Sequence, residues 1–278
     1  MITTDVDSAF EKVRNAFPIS GYIDPHGEGE RAIAVELLRV RSTGGRLLDI
    51  GAGALVKTAL FSNLGFECYA CDDYQDPWHR RDGHFEKVMD FARTSGITTH
   101  VHREGDYTIP FQEESFDVVT ICDVIEHLHE SPRELLNVGG RLLRAGGILL
   151  ITMPNVVNLK KRIKVVIGRS NYPDVAAFFC SASQWRGHVR EYTLAETAYI
   201  VTTAGFEVVR AHTFDRASVM KIPWRVARAV YYVLAALVPT FRDSLVVVGR
   251  KPAGWTPVNY SEDADRAAQG DSVPAGVR

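Results

Sequence analysis

A chain of 278 residues with 32 basic and 34 acidic side chains is close to electroneutral, so no global field points to nucleic acid or to acidic partners. The length allows a large core, and one α/β domain with embellishments is the simplest organisation. Four cysteines in a chain this long do not make a disulfide framework, and the polar, acidic first residues carry no secretory pattern, which sets the expectation of a cytoplasmic protein.

Residues 7–17 read as a short amphipathic helix and 18–29 as a loop, so that 1–30 form an N-terminal segment ahead of a main domain over 31–253. Tyr22 and His26 lie in that loop and read as plain exposed positions. A helix over 30–41, carrying Ile33, Leu37 and Leu38, stops before Gly44-Gly45. Arg46-Leu47-Leu48 then open a short buried strand that runs into Asp49-Ile50-Gly51-Ala52-Gly53. Glycines at 51 and 53 let the backbone turn sharply and bring its N–H groups close to a ligand, and residues 54–64 continue as a helix up to Gly65. Strand, glycine turn and helix open a nucleotide-binding α/β unit. The dinucleotide fingerprint is not met, because Val56 stands at the place of its third glycine.

A second apolar strand over 66–71 ends in Asp72-Asp73, an acid position about 20 residues past the glycines and placed to accept from ribose hydroxyls. Strand phase favours Asp72; the alternative is a solvated loop pair. Cys68 and Cys71 form a CxxC within this strand, where i and i+3 face opposite ways, so buried thiols are expected. A helix over 85–92 and a strand over 98–103 lead to Gly105-Asp106-Tyr107. The apolar strand over 118–121 is the central one, and its C-terminal end, at Cys122, is where ligands of open α/β sheets sit. Ser131, Pro132 and Glu134 fit the N-cap, N1 and N3 positions of a helix reaching residue 144. Strands over 148–153, 206–211 and 244–248, with a helix over 194–204, complete the set.

Two inserted segments, near 156–186 and 216–240, change the character of the chain. In the first, Leu159, Ile163, Val166 and Ile167 interleave with Lys160, Lys161, Arg162 and Lys164. That is a basic amphipathic helix, suited to a membrane surface, to a lid over the site, or to an ordinary surface position. In the second, 222–238 is apolar with Trp224, Tyr231 and Tyr232. It falls short of the roughly 20 apolar residues that span a bilayer, and is either a core helix or an interfacial one. Residues 254–278 have the composition of a disordered tail.

The acid two residues before the first glycine gives the turn a different affinity. Asp49, Gly51 and Gly53 resemble the D/E-x-G-x-G-x-G motif of class I S-adenosylmethionine-dependent methyltransferases, with Leu55 at the place of the third glycine. The stretch 105–128 resembles the small-molecule O-methyltransferase branch of that family: Gly105-Asp106, Pro110-Phe111, Phe116-Asp117 and Glu126-His127-Leu128 follow in order, and Pro154-Asn155 closes the fifth strand. The resemblance covers residues 46–155. It implies a Rossmann-like α/β fold, a mostly parallel seven-stranded sheet with the last strand antiparallel and helices on both faces. It implies S-adenosylmethionine as cofactor, held by Asp49, Gly51, Gly53, Asp72, Asp106, Tyr107 and Cys122, with Asp106 on the adenine amino group. An acceptor-only carboxylate suits that donor. The implied reaction is methyl transfer to a hydroxyl of a small molecule, sugar or lipid-linked glycan.

Methyl transfer from a sulfonium is an in-line displacement, so the protein must align the acceptor and remove its proton. Asp123, Glu126 and His127 stand at i, i+3 and i+4, which one helical turn presents on the same side, and His188 follows ahead of a late helix. The run Asp-x-x-Glu-His, followed by His-x-x-Glu-Tyr-Thr, resembles the metal-binding Glu-x-x-Glu-His and distal His of small-RNA 2′-O-methyltransferases, with Asp123 in place of the first Glu. It is also similar to ubiquinone-biosynthesis O-methyltransferases, which share a comparable His and an inserted membrane-facing segment. Three roles stay open. Asp123, Glu126, His127 and His188 suit a divalent metal ion; His127 or His188 suits a general base; Glu126 and His127 also suit caps and hydrogen bonds within the fold. The expected partners are a small-molecule or glycolipid acceptor and a peripheral contact at the inner face of a membrane; no nucleic-acid module is visible. The alternatives are N- or C-methyl transfer to a secondary metabolite, a nicotinamide-dependent reductase, which the missing third glycine opposes, and a non-catalytic cofactor-binding scaffold.

Overall fold

In a computed structural model, which describes residues 2–103, 105–106, 108–181, 184–216 and 225–258, seven strands form one sheet. They are β1 (Arg46–Ile50), β2 (Glu67–Asp72), β3 (Thr98–Val101), β4 (Phe116–Cys122), β5 (Leu143–Pro154), β6 (Glu207–Phe214) and β7 (Ser244–Arg250). The helices are α1 (Ile2–Ala16), α2 (Glu28–Val40), α3 (Val56–Asn63), α4 (His84–Thr94), α5 (Arg133–Leu142), α6 (Leu159–Val166), α7 (Val175–Phe179), α8 (Leu194–Thr203) and α9 (Arg225–Leu237). The strand order is β3-β2-β1-β4-β5-β7-β6. β1 to β5 pair in parallel, and β7 runs antiparallel to both β5 and β6. This is the expected Rossmann-like sheet, its last strand reversed. The order turns back between β1 and β4, so a crevice opens between their C-terminal ends, the place where open α/β sheets hold ligands.

The period of two along each strand explains the layers. Leu47, Val118, Ile148 and Val246 join one core with side chains of α1, α2, α3 and α4. Their neighbours Leu48, Val119, Leu149 and Val247 join a second core with α5 and α8. Both faces are covered, and β4 is buried at all seven residues, as a central parallel strand must be. On α5, Leu135, Leu136, Val138 and Leu142 are buried, each worth about 1.5–3 kcal/mol. Cys68 and Cys71 fall in opposite cores, and both are free thiols.

Four expectations are corrected. The N-terminal helix, expected over 7–17, already begins at Ile2, and Val6, Phe10 and Val13 of α1 belong to the first core. Pro132, not Ser131, occupies the cap of α5, although Ser131 Oγ still accepts from the Arg133 N–H at 3.3 Å. α5 stops at Leu142 because Leu143 already pairs with Phe116, after which the register shifts; the buried Lys251 ammonium donates to the Leu143 carbonyl at 2.6 Å. The start of the tail is docked: Trp255 Nε1–H donates to the Ala204 carbonyl at 2.8 Å and Val258 N–H to Asn137 Oδ1 at 3.0 Å. The remaining expected tail, 259–278, lies outside the described residues, as does Trp224. Of the two alternatives for α9 the core helix fails, since Tyr231 and Ala235 are buried but Val226, Val230, Val233 and Leu237 are exposed.

Leu55 shows how the chain tolerates its missing third glycine. It caps α3 at φ 65°, a left-handed conformation that costs a side chain about 1–2 kcal/mol, yet it is fully buried in the first core. Leu55→Ala keeps the strain and loses the packing, about 3 kcal/mol. Leu55→Gly loses the same packing but relieves the strain. Urea denaturation of both variants is therefore expected to find glycine about 1 kcal/mol less damaging than alanine; equal losses would mean the turn carries no strain.

Candidate functional site

The turn after β1 is built by glycine geometry. Gly51 has φ 70°, and a Cβ there would stand 2.3 Å from Val124 Cγ2, so the turn packs backbone directly against the tip of β4. The Gly51 N–H donates to the Cys71 carbonyl at 2.8 Å. Gly53, at φ 54°, has nothing within 4 Å of an added Cβ and faces open space. Asp72, at the end of β2, accepts from the Gly53 N–H at 2.8 Å and from the Tyr74 N–H at 2.7 Å. Each carboxylate oxygen keeps a lone pair for a further donor.

These groups border a cavity of about 700 Å³. Gly51, Gly53, Asp72 and Asp106 line it, together with Asp123 and His127 from the end of β4. Asp106 is exposed, and its Oδ1 accepts from the Thr108 N–H at 2.9 Å. Asp49 and Cys122 lie behind the wall. Asp49 is 0% exposed and accepts from Thr58 Oγ1 and Thr120 Oγ1, each at 2.7 Å. Burial pushes the Cys122 thiol up to about 12. Tyr107 lies outside the described residues. Tyr22 lines the cavity and packs on Trp78 at 4.3 Å between ring centroids, whereas His26 does not line it.

The geometry after β4 differs from one continuous helical turn. Asp123 itself has φ 61°, and a short 3-10 helix, Ile125–His127, follows. Asp123 is thereby turned away from Glu126 and His127 into the fork of Arg216, whose guanidinium donates to its two oxygens at 2.8 and 2.7 Å. Lys57 Nζ lies 3.5 Å from the same carboxylate. Burial acts to raise the Asp123 pKa, but Arg216 and Lys57 outweigh it and hold the carboxyl below its usual range.

Glu126, His127 and His188 do come together: one ligand atom from each lies within 4.8 Å of the others. Glu126 is 0% exposed, and neither carboxyl oxygen has a hydrogen-bond partner among the described residues. Burial, and behind it the charge of Asp123, push its pKa up to about 8. The His127 and His188 rings meet edge-on with centroids 4.9 Å apart. His127 Nδ1 lies 2.8 Å from the Arg186 carbonyl, which can only accept, so Nδ1 carries a proton and in the neutral ring the lone pair sits on Nε2. His188 Nδ1 lies 2.6 Å from Glu191 Oε1, and Glu191 pairs in turn with Lys161 of α6. Burial, then the neighbouring His127, drop the His188 pKa to about 4, so that ring is neutral.

The outer wall comes from residues that the motifs did not indicate. Trp185 and Arg186 line the cavity, and Arg186 donates to both oxygens of Asp73 at 2.8 and 2.9 Å. Their segment is fastened to the end of β4 by His127, by His129 Nε2 at 2.8 Å from the Trp185 carbonyl, and by the Val189 N–H, which donates to the Glu126 carbonyl at 2.7 Å. Asp73 was visible as half of an acidic pair. Arg186, Arg216 and Lys57 carried no local signal, since their partners are between 66 and 113 residues away.

A family model described as a methyltransferase domain matches residues 27–211. The chain is 28% identical over 149 residues to a demethylmenaquinone methyltransferase of Corynebacterium efficiens, covering 53% of this chain and 58% of that protein. It is 27% identical over 128 residues to a protein-L-isoaspartate O-methyltransferase of Chlorobaculum parvum, covering 46% and 52%. The matches thus span little more than half the length of these relatives. Among solved structures, a SAM dependent methyltransferase from Archaeoglobus fulgidus shares the fold with a TM-score of 0.52 at 16% identity, over 80% of this chain and 94% of that one.

The Asp123 pair allows a test by pH. Its folded pKa lies below the unfolded one, so its contribution is fully present above the unfolded value and is lost as pH falls through the folded value. Arg216→Met should therefore cost about 3 kcal/mol at neutral pH, and that cost should shrink as pH falls below the ordinary Asp range, about 4, and on through the lower folded value of Asp123. Urea titrations across this range check it; a pH-independent cost would assign the effect to packing.

Proposed function

The chain belongs to the methyltransferase-domain family, and from that membership we propose that it transfers the methyl group of S-adenosylmethionine to a hydroxyl oxygen of a small-molecule, sugar or lipid-linked acceptor. The observation that carries this reading is the meeting, at one cavity, of a Cβ-free turn with acids at neighbouring strand ends and an imidazole whose Nε2 holds a free lone pair. On this reading Gly51 and Gly53 bring backbone to the cofactor, Asp72 accepts from its ribose hydroxyls and Asp106 from its adenine amine. Asp49 shapes the turn from behind.

The acceptor hydroxyl must lose its proton as the methyl arrives in line. His127 Nε2 is the group to take it, and the Nδ1–H bond to the Arg186 carbonyl holds the ring in the basic tautomer. The same residues fit a divalent ion. Glu126 is a buried carboxyl with no hydrogen-bond partner among the described residues, and His127 and His188 each have Nδ1 engaged, the arrangement that orients imidazole ligands. Glu126, His127 and His188 would hold the ion, which supplies Lewis acidity that makes a bound hydroxyl more acidic. Asp123 is left out of that set because Arg216 occupies it.

Labelled methyl transfer over a panel of hydroxyl acceptors tests the reading. Demethylmenaquinone and an isoaspartyl peptide, the compounds named for the two curated relatives, belong in the panel as competing outcomes. His127→Ala should lower turnover by about 10²–10⁴-fold while leaving cofactor affinity within about twofold, since no cofactor contact is assigned to it. Gly51→Ala should lose cofactor binding, because its Cβ meets Val124. Chelation followed by metal add-back separates the two roles of the cluster: restored turnover favours the ion, unchanged turnover the general base. Failure of S-adenosylmethionine to bind the intact protein would overturn the reading.

A further inference from the structure

The two inserted segments leave an apolar surface that the fold itself does not cover. Along α9, Val226, Val230, Val233 and Leu237 are exposed at spacings of four, three and four, which is a single helical stripe. Its opposite side seats Tyr231 and Ala235 against Leu159 of α6 and Phe241, so α6 and α9 form one lobe. On α6 and just past it, Ile163, Val166 and Ile167 are exposed at i, i+3 and i+4, Val166 by 85%. No residue of α6 is buried. Phe179 of α7 is also 85% exposed, far beyond the scattered apolar side chains that a soluble surface carries without purpose.

Charge decides what covers this surface. Residues 156–181 hold five basic side chains and one acidic one, and α9 holds two basic and none acidic, in a chain whose net charge is −2. Lys160, Lys164, Arg169, Arg225 and Arg228 have no carboxylate partner among the described residues. A second copy docked through the same face would set these cations against one another. Apolar stripes flanked by unpaired cations are instead complementary to an anionic bilayer, with the apolar side chains among acyl chains and the cations at the headgroups. No described helix is long and apolar enough to cross a membrane, so the contact lies in the plane of the interface.

We propose that the lobe of α6, α7 and α9 docks the protein on the surface of an anionic phospholipid bilayer. The docking face continues to the cavity. Phe178 of α7 packs on Trp185 with centroids 5.4 Å apart, and Trp185 lines the cavity. A bound bilayer therefore lies beside the cavity mouth and presents it with acceptors that partition into lipid. The proposal rests on surface chemistry and stands whether or not the acceptor oxygen is a hydroxyl.

Flotation of the full chain with phosphatidylcholine vesicles, with and without phosphatidylglycerol, tests it. Wild-type protein is expected to float with the anionic vesicles, to release partly in high salt, and to bind phosphatidylcholine alone weakly. Each basic residue removed should lower partitioning by roughly fivefold, so Lys160→Glu with Lys164→Glu should lower it at least about tenfold. Val230→Asp with Val233→Asp should abolish it. Both pairs are surface changes, and unchanged thermal melting and cofactor affinity separate lost docking from lost folding. Equal flotation of wild type and variants would overturn the proposal, as would no flotation at all, or a concentration-dependent dimer that the α9 pair dissociates.

Discussion

The carboxylate of Asp49 is the joint on which the site is assembled. It has no contact with solvent, and its two oxygens accept from Thr58 on α3 and Thr120 on β4. A buried charge is costly alone; here the nearby Lys57 and two hydroxyl bonds, about 1.5–3 kcal/mol each, offset only part of that cost, and burial still holds the Asp49 carboxyl above its usual range. One side chain thus ties β1 to the helix that follows it and to the strand beside it. With those three elements fixed, the backbone between them has no freedom to drift, and Gly51 can sit against Val124 with no room for a side chain.

The same compactness forces a division of charge at the strand ends. Lys57 enters from the first turn of α3, donating to the Cys122 carbonyl at 3.0 Å and approaching Asp123. Arg216, arriving from the end of β6, takes both oxygens of Asp123. These two cations pair with one carboxylate, and neither forms an ion pair with Glu126, three residues on. Buried and beside a negative neighbour, Glu126 has its pKa raised to about 8. A strongly paired acid and a starved acid within one turn are the kind of contrast that active sites exploit. Here the contrast follows from where β6 ends rather than from any local feature of the β4 tip.

That origin explains what the sequence could and could not disclose. Apolar residues at a spacing of two or in a continuous run marked six of the strands, β3 being the polar exception (Thr-Thr-His-Val), and glycines marked the turn after β1. Glu126, His127 and His188 were readable as residue types that share chemistry. Asp123 looked equivalent to them because helical spacing was assumed; its left-handed backbone and its Arg216 partner, 93 residues away, are properties of the folded chain. Leu55 is the converse case. At the place of the motif's third glycine a leucine holds a left-handed φ of 65°, and its side chain is buried deeply enough to outweigh the strain. For α9 composition left core and interfacial positions open, and whether an apolar stripe faces protein or solvent is decided by what the rest of the chain leaves to pack on it.

The cavity has two walls of different provenance. The sheet side is made by strand ends, whose positions follow from the pairing register and are shared by any protein with this strand order. The outer side is made by residues 184–186, at the end of an insertion that has its own helices, an exposed apolar surface and an excess of positive charge. Arg186 bridges the walls by binding Asp73 while its carbonyl fixes His127, so the insertion sets the tautomer of the group proposed as base. α6 is linked to the same place, since Lys161 pairs with Glu191 and Glu191 with His188. A cofactor gripped by the sheet and an acceptor met by the insertion would therefore be selected by separate parts of the chain. On that reading the imidazole between them is positioned by the part that faces the acceptor, so control of the reaction would lie in the inserted segment rather than in the shared fold.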